Sequence, residues 1–505
     1  MPLCPNRDVL RGDEVEIFKI LSEGATPRQW ARWLRAPLEH AAASGNLDLV
    51  HRLLKAGADG KAGWRGCRGR TLLDAAALGG NAGVMSALLQ AGCGPDVNVV
   101  ASSTGRSALY QSIVCKHTAA ARKLIMAGAD VNFVDRADKA GPLLAAVKAG
   151  YNDLVHDLLL AGANPNVCQS VRRGTPLHSA AKLGLAKTVS VLLSSPSTDK
   201  NALDNQGYSP LMVASHHGRV AAVKVLLAAG ADVGIRDPDE SASALALAAQ
   251  FGQPGSMKAL LEHGVDANDG GQGRWSSLHW AAQFDNVGCI ALLLDGGADI
   301  NARCSGNDSR TAFHLAAEAG NSEALLALLG RGANVNQTTD NGSTALHLAR
   351  EMQGDVSETV DILLRWGASE QAMDGDGKTP IDLFEEVALQ VNREWPELER
   401  ALELLARAPA DRKWRRRGWL AMLRERTEKE RTIHGGRRRK AKKVRSGEGL
   451  LLGDGERGGN KKVRRGGRSR GCGRARAAVK VDLRGLVNTL VGLESEVFRT
   501  IVGYI

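Results

Sequence analysis

The 505-residue sequence has few aromatic residues, widely scattered cysteines and no long apolar run. Aromatic residues make up 4% of the chain, whereas 58 residues are glycine, so we expect a core of small aliphatic side chains closed by many turns. The eight cysteines contain no CxxC pair, which argues against a zinc module, a redox pair and a secreted disulfide framework. Because no segment approaches the roughly 18 apolar residues of a spanning helix, and charged residues precede any apolar run at the start, we expect neither a membrane partner nor a signal peptide.

A two-part signature recurs through most of the chain. Blocks similar to TPLHSAAKLG begin at intervals of 33 to 36 residues, and a segment such as AGAD or AGAN follows about 20 residues after most of the starts. The first positions of the eleven blocks are Ala36, Thr71, Ser107, Gly141, Thr175, Ser209, Ser243, Ser276, Thr311, Thr344 and Thr379. A period of this length predicts a repeat solenoid. We number the blocks as repeats 1 to 11 and call the first residue of each block position 1.

The residues of one block predict two short helices. Proline at position 2, as at Pro176 and Pro210, suits the first turn of a helix, and the Thr or Ser before it can cap that helix. Glycine at position 10, as at Gly150 and Gly184, predicts a left-handed turn that ends the helix. An amphipathic stretch such as LDLVHRLLKAG (47–57) then predicts a second helix, followed by a loop of Asp, Asn and Gly. Such a helix pair cannot bury its apolar face alone, so the units must stack.

The blocks TPLHSAA, FHLAAEAG and AGADVN resemble the ankyrin repeat. The resemblance covers residues 36 to about 385 and implies an all-α ankyrin-repeat solenoid of stacked helix-turn-helix units with hairpin loops. We place an N-terminal capping half-repeat at 1–35, ankyrin repeats at 36–378 and a degenerate C-terminal capping repeat at 379–411. In that last unit we expect one long charged helix from Glu385 to Ala408. The histidines at position 4 are expected to bridge neighbouring repeats; they are His178, His279, His314 and His347.

Motifs that resemble catalytic or ligand sites fall inside the repeat register. Residues 372–379, AMDGDGKT, satisfy a loose phosphate-loop pattern, but Gly377 and Thr379 are repeat positions. The His216–His217 pair lacks cysteine or carboxylate partners at metal-ligand spacing. No Ser-His-Asp arrangement or nucleotide fingerprint stands out. We therefore expect a protein that is not an enzyme and that carries no cofactor or metal.

The resemblance implies that a partner protein binds in a concave groove formed by the hairpin tips and the exposed ends of the first helices. The charge at position 8 changes along the chain from basic, at Lys148 and Lys182, to acidic, at Glu318 and Glu386. We predict an aromatic strip in this groove, formed by Tyr208, His217, Phe251, Trp275 and Phe284, with Leu183 and His216 as further partner-binding residues. The alternative is that these rings pack between neighbouring repeats. Trp280, inside the signature, is expected in the core.

The composition changes after about residue 411. Residues 412–480 hold 26 Lys and Arg against six Asp and Glu, in a Gly- and Arg-rich low-complexity sequence that we expect to be a disordered basic tail. A dense cluster within it is typical of a nuclear-import signal; it comprises Arg437, Arg438, Arg439, Lys440, Lys442 and Lys443. Arg-Gly segments also suit phosphate contacts with RNA or DNA, and a third interpretation is a solvated tail without a specific ligand. Residues 481–505 regain helical apolar spacing and form a candidate amphipathic helix.

The net charge of +11 is unevenly distributed. Residues 1–411 hold 38 Lys and Arg against 46 Asp and Glu, so the repeat region is acidic and the excess positive charge lies in 412–480. The sequence predicts a monomeric, non-catalytic scaffold in the cytoplasm, the nucleus or both, which binds a protein partner and uses its tail for nuclear targeting. The alternative is a nucleic-acid-associated protein that acts through the tail.

Overall fold

The computed structural model describes residues 34–409, except for ten short segments: 59–69, 94–96, 102–104, 136–139, 169–172, 240, 270–274, 305–308, 351–355 and 391–394. The predicted N-terminal half-repeat up to residue 33, the basic tail and the candidate helix at 481–505 lie outside the described residues. So do the six basic residues at 437–443.

Over the described residues the chain forms eleven consecutive helix pairs and no β-strand. Odd numbers denote the first helix of each repeat and even numbers the second. The helices are α1 (Arg35–Ser44), α2 (Leu47–Lys55), α3 (Leu72–Gly79), α4 (Ala82–Leu88), α5 (Ala108–Val114), α6 (Thr118–Met126), α7 (Pro142–Ala149), α8 (Asn152–Leu160), α9 (Pro176–Leu183), α10 (Ala186–Leu193), α11 (Pro210–His216), α12 (Val220–Ala228), α13 (Ala244–Gln250), α14 (Pro254–Glu262), α15 (Ser277–Gln283), α16 (Val287–Asp295), α17 (Ala312–Ala319), α18 (Ser322–Leu329), α19 (Ala345–Leu348), α20 (Val356–Arg365), α21 (Pro380–Gln390) and α22 (Pro396–Arg407). The predicted all-α repeat architecture is confirmed.

The ends of the helices follow the predicted local signals. Ser209 caps α11 by accepting a hydrogen bond from the amide of Met212, and Pro210 is the first residue of that helix. Gly184 follows α9 with a φ of 75°, in the left-handed region that favours glycine. Since the same signals recur in other repeats, the array is built from one local unit.

The last repeat differs from our expectation. A single helix from Glu385 to Ala408 is wrong, because two helices, α21 and α22, occupy this region. Pro396 is the first residue of α22. A proline inside a longer helix would remove a backbone hydrogen bond and clash with the preceding turn, so the helix has to restart there.

The core consists mainly of leucine, valine and alanine, as the composition suggests. In repeat 5, the side chains of Leu177, Ala180, Val189 and Leu192 are fully buried. First helices pack against first helices of the next repeat from α1 to α21, and second helices pack in the same way from α2 to α20. Small residues permit this close approach, and stacking buries the apolar face that one repeat alone would expose.

The position-4 histidines connect neighbouring repeats, as predicted. His178 Nε2 donates to the carbonyl of Tyr208 at 2.9 Å, and His279 Nε2 donates to the carbonyl of Arg310 at 3.1 Å. His347 makes the same bond to the carbonyl of Lys378 at 3.2 Å. His314 Nε2 reaches the carbonyl of Gln337, also in the loop before the next repeat, at 2.9 Å.

Asparagines in the hairpin loops form a second set of connections, which we call the asparagine ladder. Asn132 donates from Nδ2 to the carbonyl of Gly162 at 3.0 Å, and its Oδ1 accepts from the amide of Asn164 at 2.8 Å. The same two-bond arrangement occurs at Asn98, Asn166, Asn268 and Asn336. Each rung therefore ties one loop to the next.

Candidate functional site

The C-terminal ends of the first helices expose a column of apolar side chains at position 9. Leu183 ends α9, while Phe251 and Phe284 directly follow α13 and α15. These three side chains are 47%, 45% and 50% exposed, respectively. Because so much of each side chain is solvent-accessible, packing of the array does not by itself account for an apolar residue at these positions.

Repeats 6 and 7 bring two histidines and a phenylalanine together. The ring centroids of His216 and Phe251 are 3.9 Å apart, and those of His216 and His217 are 4.4 Å apart. The Nδ1 atoms of the two histidines share a hydrogen bond of 2.5 Å. Burial, followed by the positive charge of Lys182, lowers the pKa of His216 from its ordinary value. At neutral pH this cluster therefore presents an uncharged His216 beside an aromatic ring.

Repeat 8 carries a second cluster, formed by Trp275, Trp280 and Phe284. The ring centroids of Trp275 and Trp280 lie 4.7 Å apart, and the rings of Trp280 and Phe284 stack at 6.1 Å with an interplanar angle of 14°. Our expectation that Trp280 belongs to the core is wrong, since its side chain is only half-buried. Positions 5 and 9 are four residues apart, which puts both side chains on one face of the helix; this spacing was the signal in the sequence.

The remaining predicted residue, Tyr208, is half-buried at the entry to α11. Its carbonyl accepts the hydrogen bond from His178, and its amide donates to Asp204 Oδ1 at 2.9 Å. The predicted strip thus contains two ring clusters rather than one uniform row. The alternative of packing between repeats also holds in part, because His216 and Phe251 belong to different repeats, yet Phe251 keeps nearly half of its surface exposed.

Charged side chains flank the clusters along position 8. The two carboxylate oxygens of Glu318 accept hydrogen bonds from Arg310 Nη1, at 2.6 and 2.5 Å. Arg310 is the residue directly before position 1 of that repeat. Lys378 and Glu386 form the corresponding pair in repeat 11, at 2.6 and 2.9 Å. At the other end of the groove, Lys148 and Lys182 are exposed. In the repeats of these two lysines, the residues at the place of Arg310 are Ala140 and Gly174, which carry no charge.

The loop with the loose phosphate-loop pattern forms a repeat turn. Asp374 Oδ1 accepts from the amides of Asp376 and Lys378 at 3.0 and 2.9 Å, and the amide of Gly377 donates to the carbonyl of Asp374 at 3.0 Å. The amides that a phosphate would need are thus used within the turn, and the ammonium of Lys378 donates to Glu386.

Over the described residues, no group of three His, Cys, Asp or Glu side chains is placed to hold a metal ion. None of the helices in that part of the chain is both long and apolar enough to cross a bilayer.

Comparison with known families agrees with this geometry. One ankyrin-repeat model, of three copies, matches residues 38–135, 143–237 and 230–304, and a second, of many copies, matches residues 293–349. The chain belongs to the ankyrin repeat family. Ankyrin repeats indicate a protein–protein interaction domain, and the fold is generally a non-catalytic interaction scaffold.

A solved structure and the curated proteins complete the comparison. The ankyrin repeat domain of human ASB11 is 27% identical to the chain, with a TM-score of 0.39; the match covers 46% of this chain and 99% of that one. No curated protein sequence matches the chain significantly.

Proposed function

We propose that this chain is a non-catalytic scaffold that binds a partner protein in the groove at repeats 5 to 8. The observation that carries the proposal is the alignment of half-exposed Leu183, Phe251 and Phe284 at one position of three repeats. Partly exposed aromatic rings that already pack against a neighbouring ring have the character of binding hot spots, since little further side-chain entropy is lost when a partner covers them.

Substitution of the repeat 8 cluster tests this proposal. A partner captured with the full chain should bind the Trp275→Ala/Phe284→Ala variant more weakly by more than about 2 kcal/mol in isothermal titration. The matched control is Met126→Ala/Leu160→Ala, which removes apolar side chains that are 81% and 76% exposed at the ends of second helices. Circular dichroism must show that both variants stay folded. Equal affinity of the wild-type chain and the tryptophan–phenylalanine variant would contradict the proposal.

We further propose that the basic cluster at 437–443 directs the protein to the nucleus. Six of these seven residues are Lys or Arg, a density that suits recognition by an import receptor. A fluorescent fusion with all six changed to alanine should move from the nucleus to the cytoplasm. The control changes the separate basic group at 461–465, which should leave the distribution as it is. Unaltered nuclear fluorescence after the first change would contradict this assignment.

The second candidate function is binding of RNA or DNA through the tail. Its support is the concentration of 26 Lys and Arg in residues 412–480. Such binding should be strongly salt-dependent, since it releases counterions from phosphates. Deletion of 412–480 should abolish a salt-sensitive mobility shift with an oligonucleotide and leave partner capture unchanged. If the shift persists without these residues, the tail is not the nucleic-acid site.

A further inference from the structure

The groove has an intrinsic polarity that the array does not neutralise. Among the described residues, the acidic side chains at position 8 are Glu318 and Glu386. Each forms an ion pair with the basic residue directly before position 1 of its repeat, Arg310 and Lys378 respectively. The basic side chains at position 8 are Lys148 and Lys182. In their repeats the residue directly before position 1 is Ala140 or Gly174, which carries no charge. Within the described residues, no carboxylate lies within ion-pair distance of either lysine. Among the described residues of position 8, the positive charge is therefore available to a ligand, whereas the negative charge is already paired.

The two lysines adjoin the exposed apolar column. Lys182 directly precedes Leu183, and the column continues with Phe251 in repeat 7 and Phe284 in repeat 8. The same position in repeat 6 is occupied by His217, which is half-buried. Adjacent packed helices are separated by roughly 8–10 Å, so the distance from Lys148 in repeat 4 to Phe284 in repeat 8 is about 32–40 Å. An extended peptide rises about 3.3 Å per residue and would span this distance with about 10–12 residues.

We propose that the groove binds an extended protein segment in which a cluster of acidic residues is followed, in one direction along the peptide, by apolar or aromatic residues. The acidic residues lie over Lys148 and Lys182, and the apolar residues lie over Phe251 and the repeat 8 cluster. Charge complementarity selects this occupant, because a basic segment would meet two unmatched lysines and would have to displace Arg310 to reach Glu318. This inference rests on the proposed function, since it specifies the ligand of the same groove.

Selection from a displayed library of random 16-residue peptides tests the inference without a known partner. The full chain serves as the bait, and peptides that bind an isolated 412–480 segment are removed from the library beforehand. Enriched peptides should carry Asp or Glu at one end and Leu, Phe or Trp at the other. A parallel selection on the Lys148→Glu/Lys182→Glu chain should lose the acidic residues while keeping the apolar ones.

Binding of one enriched peptide, followed by fluorescence polarisation, then gives a quantitative test. The Lys148→Glu/Lys182→Glu chain should bind it about tenfold more weakly, and added salt should reduce the difference. Lys187→Glu is the matched control, since Lys187 is an exposed lysine on the second helix of repeat 5, and it should change the affinity by less than twofold. All the substituted lysines are exposed, so thermal unfolding should stay the same.

The outcomes separate the two proposals. Enriched peptides that are apolar but lack acidic residues, or that are basic, would overturn the polarity inference and leave the groove proposal standing. Enrichment that survives in full on a Trp275→Ser/Phe284→Ser chain, or no enrichment on the wild-type chain, would contradict the groove proposal itself. Equal loss of affinity in the Lys187→Glu chain would show that only net charge matters, which also overturns the inference.

Discussion

Each position-4 histidine is held in one protonation state by its neighbours. His279 Nδ1 accepts a hydrogen bond from the amide of Ser276 at 3.1 Å, while its Nε2 donates to the carbonyl of Arg310 in the next repeat. A ring that accepts at one nitrogen and donates at the other is neutral. Burial lowers the pKa of His279, His178 and His347 from the ordinary value of 6.5, which agrees with this bonding.

The pH dependence of stability follows from these histidines. Because their folded-state pKa lies below 6.5, the folded chain takes up fewer protons than the unfolded chain as the pH falls. The stability that these histidines contribute to the folded chain is fully present above pH 6.5, and it is lost as the pH falls from 6.5 towards the folded-state pKa. The His279→Ala variant should lose about 1–3 kcal/mol of unfolding free energy at neutral pH, because the carbonyl of Arg310 loses its donor.

Urea unfolding at pH 7.5 and pH 5.5, followed by circular dichroism, measures both effects. The variant should show a smaller decrease between the two pH values than the wild-type chain, since one buried imidazole is absent. His263→Ala is the control, because His263 is an exposed residue at the end of α14. An identical pH dependence in the wild-type chain and in His279→Ala would exclude the proposed origin.

At the scale of the structural element, the hairpin loops are tied together one by one. In repeat 6, Gly234 occupies the position that an asparagine of the ladder occupies in other repeats. It lies four residues after Gly230, just as Asn132 lies four residues after Gly128. The backbone there already has the ladder geometry, since the amide of Gly234 donates to Asp232 Oδ1 at 2.8 Å. The corresponding bond of Asn132, to Asp130 Oδ1, measures 2.9 Å.

The Gly234→Asn substitution should therefore complete a missing rung. A Cβ at this residue would lie 3.2 Å from Asp232 Oδ1, so the carboxylate of Asp232 has to move by a few tenths of an ångström to admit the new side chain. The new amide would reach the carbonyl of Gly264 and the backbone amide of Asp266, and we expect a gain of about 1 kcal/mol in unfolding free energy. Urea denaturation measures the change.

Gly234→Ala separates the two sources of this gain. It shares the reduced freedom of the unfolded chain, which is worth about 0.4–1 kcal/mol, but it lacks the amide. The asparagine variant should be the more stable of the two. Equal stability would mean that the interloop hydrogen bonds contribute nothing at this position.

For the whole molecule, the sign of the net charge depends on one segment. Removal of residues 412–480 takes away 26 Lys and Arg and six Asp and Glu, which changes the formal charge from +11 to −9. Net charge governs non-specific association with charged surfaces. The shortened chain should therefore bind an anion exchanger at pH 7.5, whereas the full chain binds a cation exchanger.

Deletion of residues 481–505 is the control for this experiment, because that segment contributes a net charge of only −1. The chain that lacks it should still bind the cation exchanger. Retention of the 412–480 deletion variant on the cation exchanger would show that the repeats present a strongly basic surface of their own, contrary to their excess of carboxylates.

The sequence by itself determined the repeat unit, its helix caps and its glycine turns. These features depend on local backbone chemistry and on a period that recurs along the chain, so they can be read one block at a time. The bridging role of His178, His279, His314 and His347 was implied by the resemblance to the ankyrin repeat, and the structure supplied the partner carbonyls. The restart of the helix at Pro396 was also encoded locally, although the charged pattern of Glu385 to Ala408 obscured it.

Only the tertiary structure decided how the groove residues are grouped. It placed Trp280 beside Trp275 and Phe284, joined His216 to Phe251 across two repeats, and paired Glu318 with Arg310 while leaving Lys182 without a carboxylate among the described residues. The physical reason is that a surface side chain can point to several neighbours, and the stacking of repeats fixes which of them lies within reach. A helical period identifies the face on which a residue lies, but the adjoining repeat determines what that residue contacts.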